Sequence, residues 1–123
     1  MELGNFSMSL NVADLAASID FYQGLGLEIV VDRREQNWVV LGNETARIGL
    51  FEDIIDRNIL TFNPGWDRNG QPVAEFTDVR DIQRAVHDAG ISTDGAIDPD
   101  SQGPAHFLVT DPDGNVILVD QHV

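Results

Sequence analysis

Apolar and polar positions along the chain alternate in short runs that switch twice to a helical rhythm. Residues 6–12 read as a strand, Phe6-Ser-Met-Ser-Leu-Asn-Val, with apolar side chains on one face and polar ones on the other. Leu15, Ile19, Tyr22 and Leu25 then recur at helical spacing, which predicts a helix over 14–24. Three short strands follow at about 27–33, 37–42 and 45–52, separated by Asp32-Arg-Arg-Glu-Gln and Gly42-Asn-Glu. The same order returns later: a strand near 72–76, a helix at 79–89 on Val79, Ile82, Val86 and Ala89, and strands at 91–97, 104–110 and 115–121. Asp111-Pro-Asp-Gly-Asn joins the last two as a tight hairpin turn.

The punctuation repeats as well. Asp14 and Asp78 each stand at a helix start, where a carboxylate accepts from free backbone N–H groups. Gly26 and Gly90 each stand just past a helix end, where a left-handed backbone stops the helix at little cost. One β-α-β-β-β unit is therefore used twice. The expected division is a single domain over 1–123, with module one at about 5–52, a linker or loop at about 53–71 and module two at about 72–123. Within the middle segment Asn58-Ile-Leu-Thr-Phe could itself be a strand. If 59–63 opens the second unit, the Trp66 loop is an insertion in it; if 72–76 does, the stretch is a linker.

Composition narrows the chemistry. A chain of 123 residues can bury a core without staples, and it contains no cysteine, so disulfides and thiolate sites are excluded. It contains no lysine either, which removes Schiff-base chemistry; its seven basic residues are arginines, against 21 acids. The net charge of −14 repels phosphate backbones and anionic lipid, so neither nucleic acid nor a membrane is an expected partner, whereas a cationic small molecule would be attracted. Solubility or adaptation to high salt explains the same charge without any ligand. Without a basic, apolar leader at the N-terminus or an apolar run of membrane-spanning length, the expected location is cytoplasmic.

Val12-Ala-Asp-Leu-Ala-Ala-Ser-Ile-Asp-Phe-Tyr-Gln-Gly-Leu-Gly-Leu, together with Phe107-Leu-Val-Thr-Asp-Pro-Asp-Gly-Asn-Val-Ile-Leu-Val, resembles the vicinal oxygen chelate superfamily of glyoxalase I, fosfomycin-resistance enzymes, extradiol dioxygenases and bleomycin-resistance proteins. The resemblance covers nearly the whole chain. It implies an α+β fold of two tandem βαβββ modules whose curved mixed sheets enclose a cavity, commonly in a homodimer. It also implies a divalent metal held by His, Glu or Gln side chains on those sheets. The matching positions here are Ser7, about Gly49, Leu118, and one of Gln71, Val73 or Ile59 according to which strand opens the second unit. None is a His or a carboxylate, and a Ser or a Gln alone cannot hold a divalent metal, so no metal or other cofactor is expected.

Strand alternation from those positions collects the remaining candidates on the cavity face that the resemblance implies: Ser7, Ser9, Trp38, Arg47, Gly49, His106, Leu108, Val116 and Leu118. Trp38 offers a flat face for stacking or for a cation, as does Trp66 in its loop, though an aromatic there also serves as core. Arg47 suits a ligand carboxylate or phosphonate, with an ion pair to Glu44, Glu75 or another acid as the structural alternative. His106, His122 and Asp120 are the candidates for proton transfer, Asp120 sharing a face with His122; a hydrogen-bonded structural role is the alternative. His87 reads as a solvent-facing helix residue and Tyr22 as core. Asp111-Pro-Asp-Gly-Asn carries only a fragment of a calcium loop, and a turn explains it.

Three functions remain open at this point. The first is a metal-independent small-molecule binding protein of the glyoxalase/bleomycin-resistance type, sequestering a ligand in the cavity, most simply a cationic planar one. The second is a lyase- or isomerase-type enzyme of the same superfamily with a relocated site on His106, His122, Asp120 or Gln71. The third is an accessory module acting through its dimer surface.

Overall fold

A computed structural model describes all residues 1–123, and the chain divides into two compact units, Ser7–Ile59 and Met1–Phe6 together with Leu60–Val123. The first unit runs β1 (Asn5–Val12, which begins in the other unit), α1 (Leu15–Gly24), β2 (Glu28–Arg33), a single 3-10 turn, β3 (Trp38–Gly42) and β4 (Arg47–Glu52). Its strands lie in the order β2-β3-β4-β1, with β1 parallel to β4 and the other pairs antiparallel. Leu15 and Ile19 of α1 pack on Leu27, Val39, Leu41 and Leu50. With period-2 alternation, turning Val39, Leu41 and Leu50 toward the helix turns Trp38, Val40, Gly49 and Phe51 to the opposite face. Asp14 caps α1 by accepting from Ala17 N–H at 3.1 Å, and Gly26, at φ +94°, ends it.

The second unit runs β5 (Ile59–Asn63), α2 (Val79–Asp88), β6 (Ala105–Thr110) and β7 (Val116–Gln121), in the order β5-β7-β6. Its core is Val79, Ile82, Phe107 and Val119, flanked by Leu3, Val86, Ile97 and Ala105. β5 lies parallel to β7 as β1 lies parallel to β4, so 59–63 is the opening strand of this unit and the Trp66 loop is its insertion.

Two expected strands are not formed. The stretch 72–76 turns back on 65–67: Val73 N–H donates to Gly65 O and Asp67 N–H to Gln71 O, both at 2.9 Å, and Pro72 has no N–H to offer a ladder. The stretch 91–97 keeps a single bridge, Asp94 to Leu108, with both hydrogen bonds at 2.8 Å. Beyond it Gly95 takes φ +100°, and its carbonyl accepts from the Gln83 amide at 2.8 Å instead of from a strand. The chain thus has the α+β fold of tandem βαβββ modules, with the second strand of the second module reduced to that bridge.

A shared device ties each helix to its sheet. At the end of β4, Glu52 Oε1 accepts from Leu15 N–H, the first residue of α1, at 2.9 Å; at the end of β7, Gln121 Oε1 accepts from Val79 N–H, the first of α2, at 2.8 Å. Each satisfies a helix-start donor that has no partner within the helix. Gln121, only 2% exposed, does more, donating through Nε2 to Asp78 Oδ2, Gly103 O and Val123 O. Beside it the buried Arg80 guanidinium bonds Asp78, Ser101 and Gly103 O, which locks the 98–104 loop onto α2. Burial pushes the Asp78 carboxyl up, but the hydrogen bonds from Arg80 and Gln121 outweigh it and hold the group below its ordinary range.

Candidate functional site

The ladders align the two units residue by residue. In the first, Val40 faces Gly49, which faces Ser9; in the second, Leu108 faces Leu118, which faces Thr61. Gly49 thus corresponds to Leu118, Ser7 to Ile59, and Glu52 to Gln121. One rung along, the pair Trp38–Phe51 corresponds to the pair His106–Asp120. On the faces turned away from the helices, the same rung is aromatic in one unit and ionisable in the other.

In the first unit the Trp38 and Phe51 rings stack at 5.6 Å between centroids and 14° between planes. Gly49 makes this possible: a Cβ there would stand 2.7 Å from Phe51 Cε2, so only glycine lets the ring lie over the strand. The result is an aromatic platform of two near-parallel rings. Ser7 and Ser9, small and buried, continue this face along β1. Arg47 lies across Gly42, its Nη1 donating to Asn43 O and, at 2.7 Å, to Ala46 O. Carbonyls of its own hairpin are thus among the partners of this guanidinium, because the β3–β4 turn aims them back at the strand. A cleft of about 550 Å³ in this unit opens on the helix side over Leu10, Val12, Ala17, Phe21 and Tyr22. Its one ionisable carboxylate, Asp14, is the α1 cap, so it offers no chemistry comparable to the opposite face.

In the second unit His122 Nε2 stands 3.1 Å from Asp120 Oδ2, and the imidazole stacks on Trp66 at 4.2 Å and 8°. Asn63, buried beside them, donates from Nδ2 to Asp120 O at 2.9 Å and fixes that strand. Gly65, at φ +87°, bends the chain so that Trp66 reaches His122; a Cβ on it would meet the Val123 side chain at 2.4 Å. His106 sits directly across the ladder from Asp120 and is exposed. Asp120, His122 and Trp66 therefore meet in one place, with His106 across the ladder from Asp120; the sequence did not indicate this for Trp66. Leu108 and Leu118 form the adjacent rung. Val116 faces Thr110 at the far end of this ladder. Gln71, exposed, is taken up in the turn after Trp66, where its N–H donates to Asp67 Oδ1 at 3.0 Å.

The remaining polar residues are structural. His87 is exposed and bonds Thr93 Oγ1 at 2.8 Å, while Tyr22 packs against the first core. Asp111 accepts from Asp113 N–H, Asn115 N–H and the Asn115 amide. The Asn115 side-chain and backbone bonds in particular hold its carboxyl below the ordinary range, so this carboxylate belongs to the turn.

The divalent metal implied by the resemblance has no fitting donor set. Its positions fall on Ser7, Ile59, Gly49 and Leu118, a single hydroxyl among them, and nowhere do three His, Asp or Glu side chains converge in a way that could hold an ion.

Residues 6–119 match the model of the Glyoxalase/Bleomycin resistance protein/Dioxygenase superfamily, and the chain belongs to that superfamily. No curated protein matches it in sequence. Among solved structures it is similar to a glyoxalase/bleomycin resistance protein/dioxygenase superfamily member from Vibrio splendidus 12B01, with 16% identity, TM-score 0.61, and 95% of this chain and 97% of that one covered. It is also similar to a protein described as an NAD-dependent benzaldehyde dehydrogenase from Legionella pneumophila, with 17% identity, TM-score 0.68, and coverage of 96% and 99%. A catechol 2,3-dioxygenase matches with 22% identity, TM-score 0.58 and 94% of this chain, which spans only 38% of the dioxygenase. At these identities the likeness is one of fold.

Proposed function

We propose that this protein is a metal-independent small-molecule binding protein of the glyoxalase/bleomycin-resistance type, which holds a planar ligand on the Trp38–Phe51 platform. The observation that carries the reading is the platform itself. Two near-parallel rings share a sheet face, Gly49 leaving room for Phe51, at positions where the family fold places its ligand chemistry and where this chain has no metal donors. A stacked aromatic face favours flat molecules, and a chain of net charge −14 raises the local concentration of cations over anions. The ligand class is therefore a planar aromatic cation, bound and released unchanged. The protein acts as a homodimer in the cytoplasm, with neither nucleic acid nor membrane as partner; no helix in it is long and apolar enough to cross a membrane.

The test is calorimetric titration of the wild type and of Trp38→Ala with proflavine, a planar aromatic cation. Saturable binding that weakens about tenfold or more in the variant is the expected result, since base-like stacking on an aromatic contributes roughly 1–3 kcal/mol. Equal affinity in the two proteins overturns the assignment of the platform. Recovery of chemically altered ligand would overturn sequestration and favour an enzyme.

A further inference from the structure

The rung of the second unit that corresponds to the platform carries a different chemistry. His122 meets Asp120 Oδ2 at 3.1 Å from its Nε2 and the Trp66 ring on its face. An acceptor fixed on Nε2 sets the tautomer with the proton there, and it leaves Nδ1 with its lone pair as the basic nitrogen of a half-exposed ring. The Asp120 main chain is in turn held by buried Asn63, so the orienting carboxylate does not drift. An indole is larger than an imidazole, so part of the Trp66 face extends past the His122 ring, beside the edge where a reacting molecule would lie. His106 is cross-strand from Asp120 and hence diagonal to His122. Diagonal positions on a sheet face are about 7–8 Å apart, which suits a small molecule bridging the two imidazoles.

We infer that Asp120 and His122 form a general-base dyad, walled by Trp66 and completed by His106, that takes a proton from carbon next to the carbonyl of a small, neutral, planar carbonyl compound. Neutrality follows from the charge: Asp120 and the acidic surface repel an anionic substrate, and a cation would pair with Asp120 and displace the imidazole. In the step, the C–H proton moves to Nδ1 of His122, the C–H bonding pair becomes the new C=C bond, and the carbonyl π pair moves onto oxygen, where a ring N–H of His106 donates to the enolate. The imidazolium returns a proton to carbon, so no co-reactant is consumed. His122 is the catalytic residue, His106 the stabiliser of the oxygen, and Asp120 a positioning residue. This activity stands independently of binding at Trp38.

The probe is 2-indanone, and the readout is loss of its α-proton signal in D2O by proton NMR, with the full chain at a concentration matched to free imidazole. Exchange faster than the matched imidazole is expected, because a positioned base contributes roughly 10²–10⁴-fold in built sites and a half-exposed one toward the lower end. His122→Ala should lose at least about tenfold and regain activity when imidazole is added, an outcome that a purely structural role would not give; Asp120→Asn should lose a comparable factor. His122→Gln, which keeps a polar side chain at this exposed site, guards against a folding artefact and should be as inactive as the alanine variant. Exchange no faster than free imidazole, or unchanged in His122→Gln, overturns the dyad. Proflavine binding tests the platform separately, so the two readings fail independently.

Discussion

Replacing Gln121 by Leu removes one side chain that serves a helix start, a loop and the chain end together. The amide is 2% exposed, accepts from Val79 N–H at 2.8 Å and donates to Asp78, Gly103 O and Val123 O at 3.2, 3.2 and 2.9 Å. Leucine fills a similar volume but leaves the fully buried Val79 N–H without its acceptor, while Gly103 O keeps its bond from the Arg80 guanidinium. One unsatisfied buried polar group costs about 1–3 kcal/mol, and with the weaker losses at Asp78 and Val123 partly offset by the apolar side chain the total comes to about 2 kcal/mol. For a domain of this size that is a fall in Tm of roughly 7 °C. The Glu variant gives a sharper sign. Its carboxylate keeps the Val79 bond but faces Asp78 and two carbonyls without a proton to donate. Gln121→Glu should therefore be less stable than wild type at pH 7 and close that gap as pH falls toward 4, when the new carboxyl gains a proton.

Wild type should do the reverse. Asp78 has a folded pKa below its unfolded value, so its contribution is complete above the ordinary carboxylate range near 4 and is lost as pH falls through the lowered folded value. In Gln121→Leu one of the donors that lower it is gone, and the acid loss should shrink. Urea midpoints measured across this range decide the matter. A Gln121→Leu midpoint within error of wild type, or a Gln121→Glu gap that widens on acidification, would refute the reasoning.

Three further outcomes are expected. Glu52→Gln, at the corresponding position of the first unit, keeps an acceptor for Leu15 N–H and should cost under about 1 kcal/mol in the same urea assay. Arg80→Ala should cost about 2–4 kcal/mol and expose the 98–104 loop to protease, since Ser101, Gly103 O and Asp78 all lose a partner; Arg80→Lys should recover only part of it, because a single ammonium cannot serve all three. Gly49→Ala should weaken proflavine binding several-fold at a stability cost near about 1–2 kcal/mol, as the new methyl lifts Phe51 off the strand; equal affinity would mean that the ring's flat seating does not matter.

Much of the fold was legible because each module writes its own punctuation. Asp14 and Asp78 do cap their helices, Gly26 and Gly90 both take positive φ, and the alternation in β3 and β4 assigned Trp38 and Gly49 to the face away from α1. The 72–76 and 91–97 stretches misled because local apolar pattern says nothing about where carbonyls and N–H groups find partners. Pro72 withholds a donor, and Gln83, reaching from α2, takes the Gly95 carbonyl out of the ladder. The site was legible in part. Asp120 and His122 are two apart on a strand, so their shared face follows from sequence, whereas the stacking of Trp66 on His122 depends on how Gly65 turns a loop and leaves no periodic trace. Phe51 escaped attention because its importance lies in the missing side chain of Gly49 beneath it. The carbonyls that the β3–β4 turn brings to Arg47 likewise depend on how a loop turns and leave no trace in the alternation.

The most direct measurement is the affinity of metal-stripped protein for proflavine, read by calorimetry in EDTA and again with Zn, Ni, Mn, Fe or Mg present. Metal-independent sequestration predicts one saturable site per chain, the same affinity in every condition, and a loss of about tenfold or more in Trp38→Ala. Binding that appears only when a divalent metal is added, or that ignores Trp38, would contradict it.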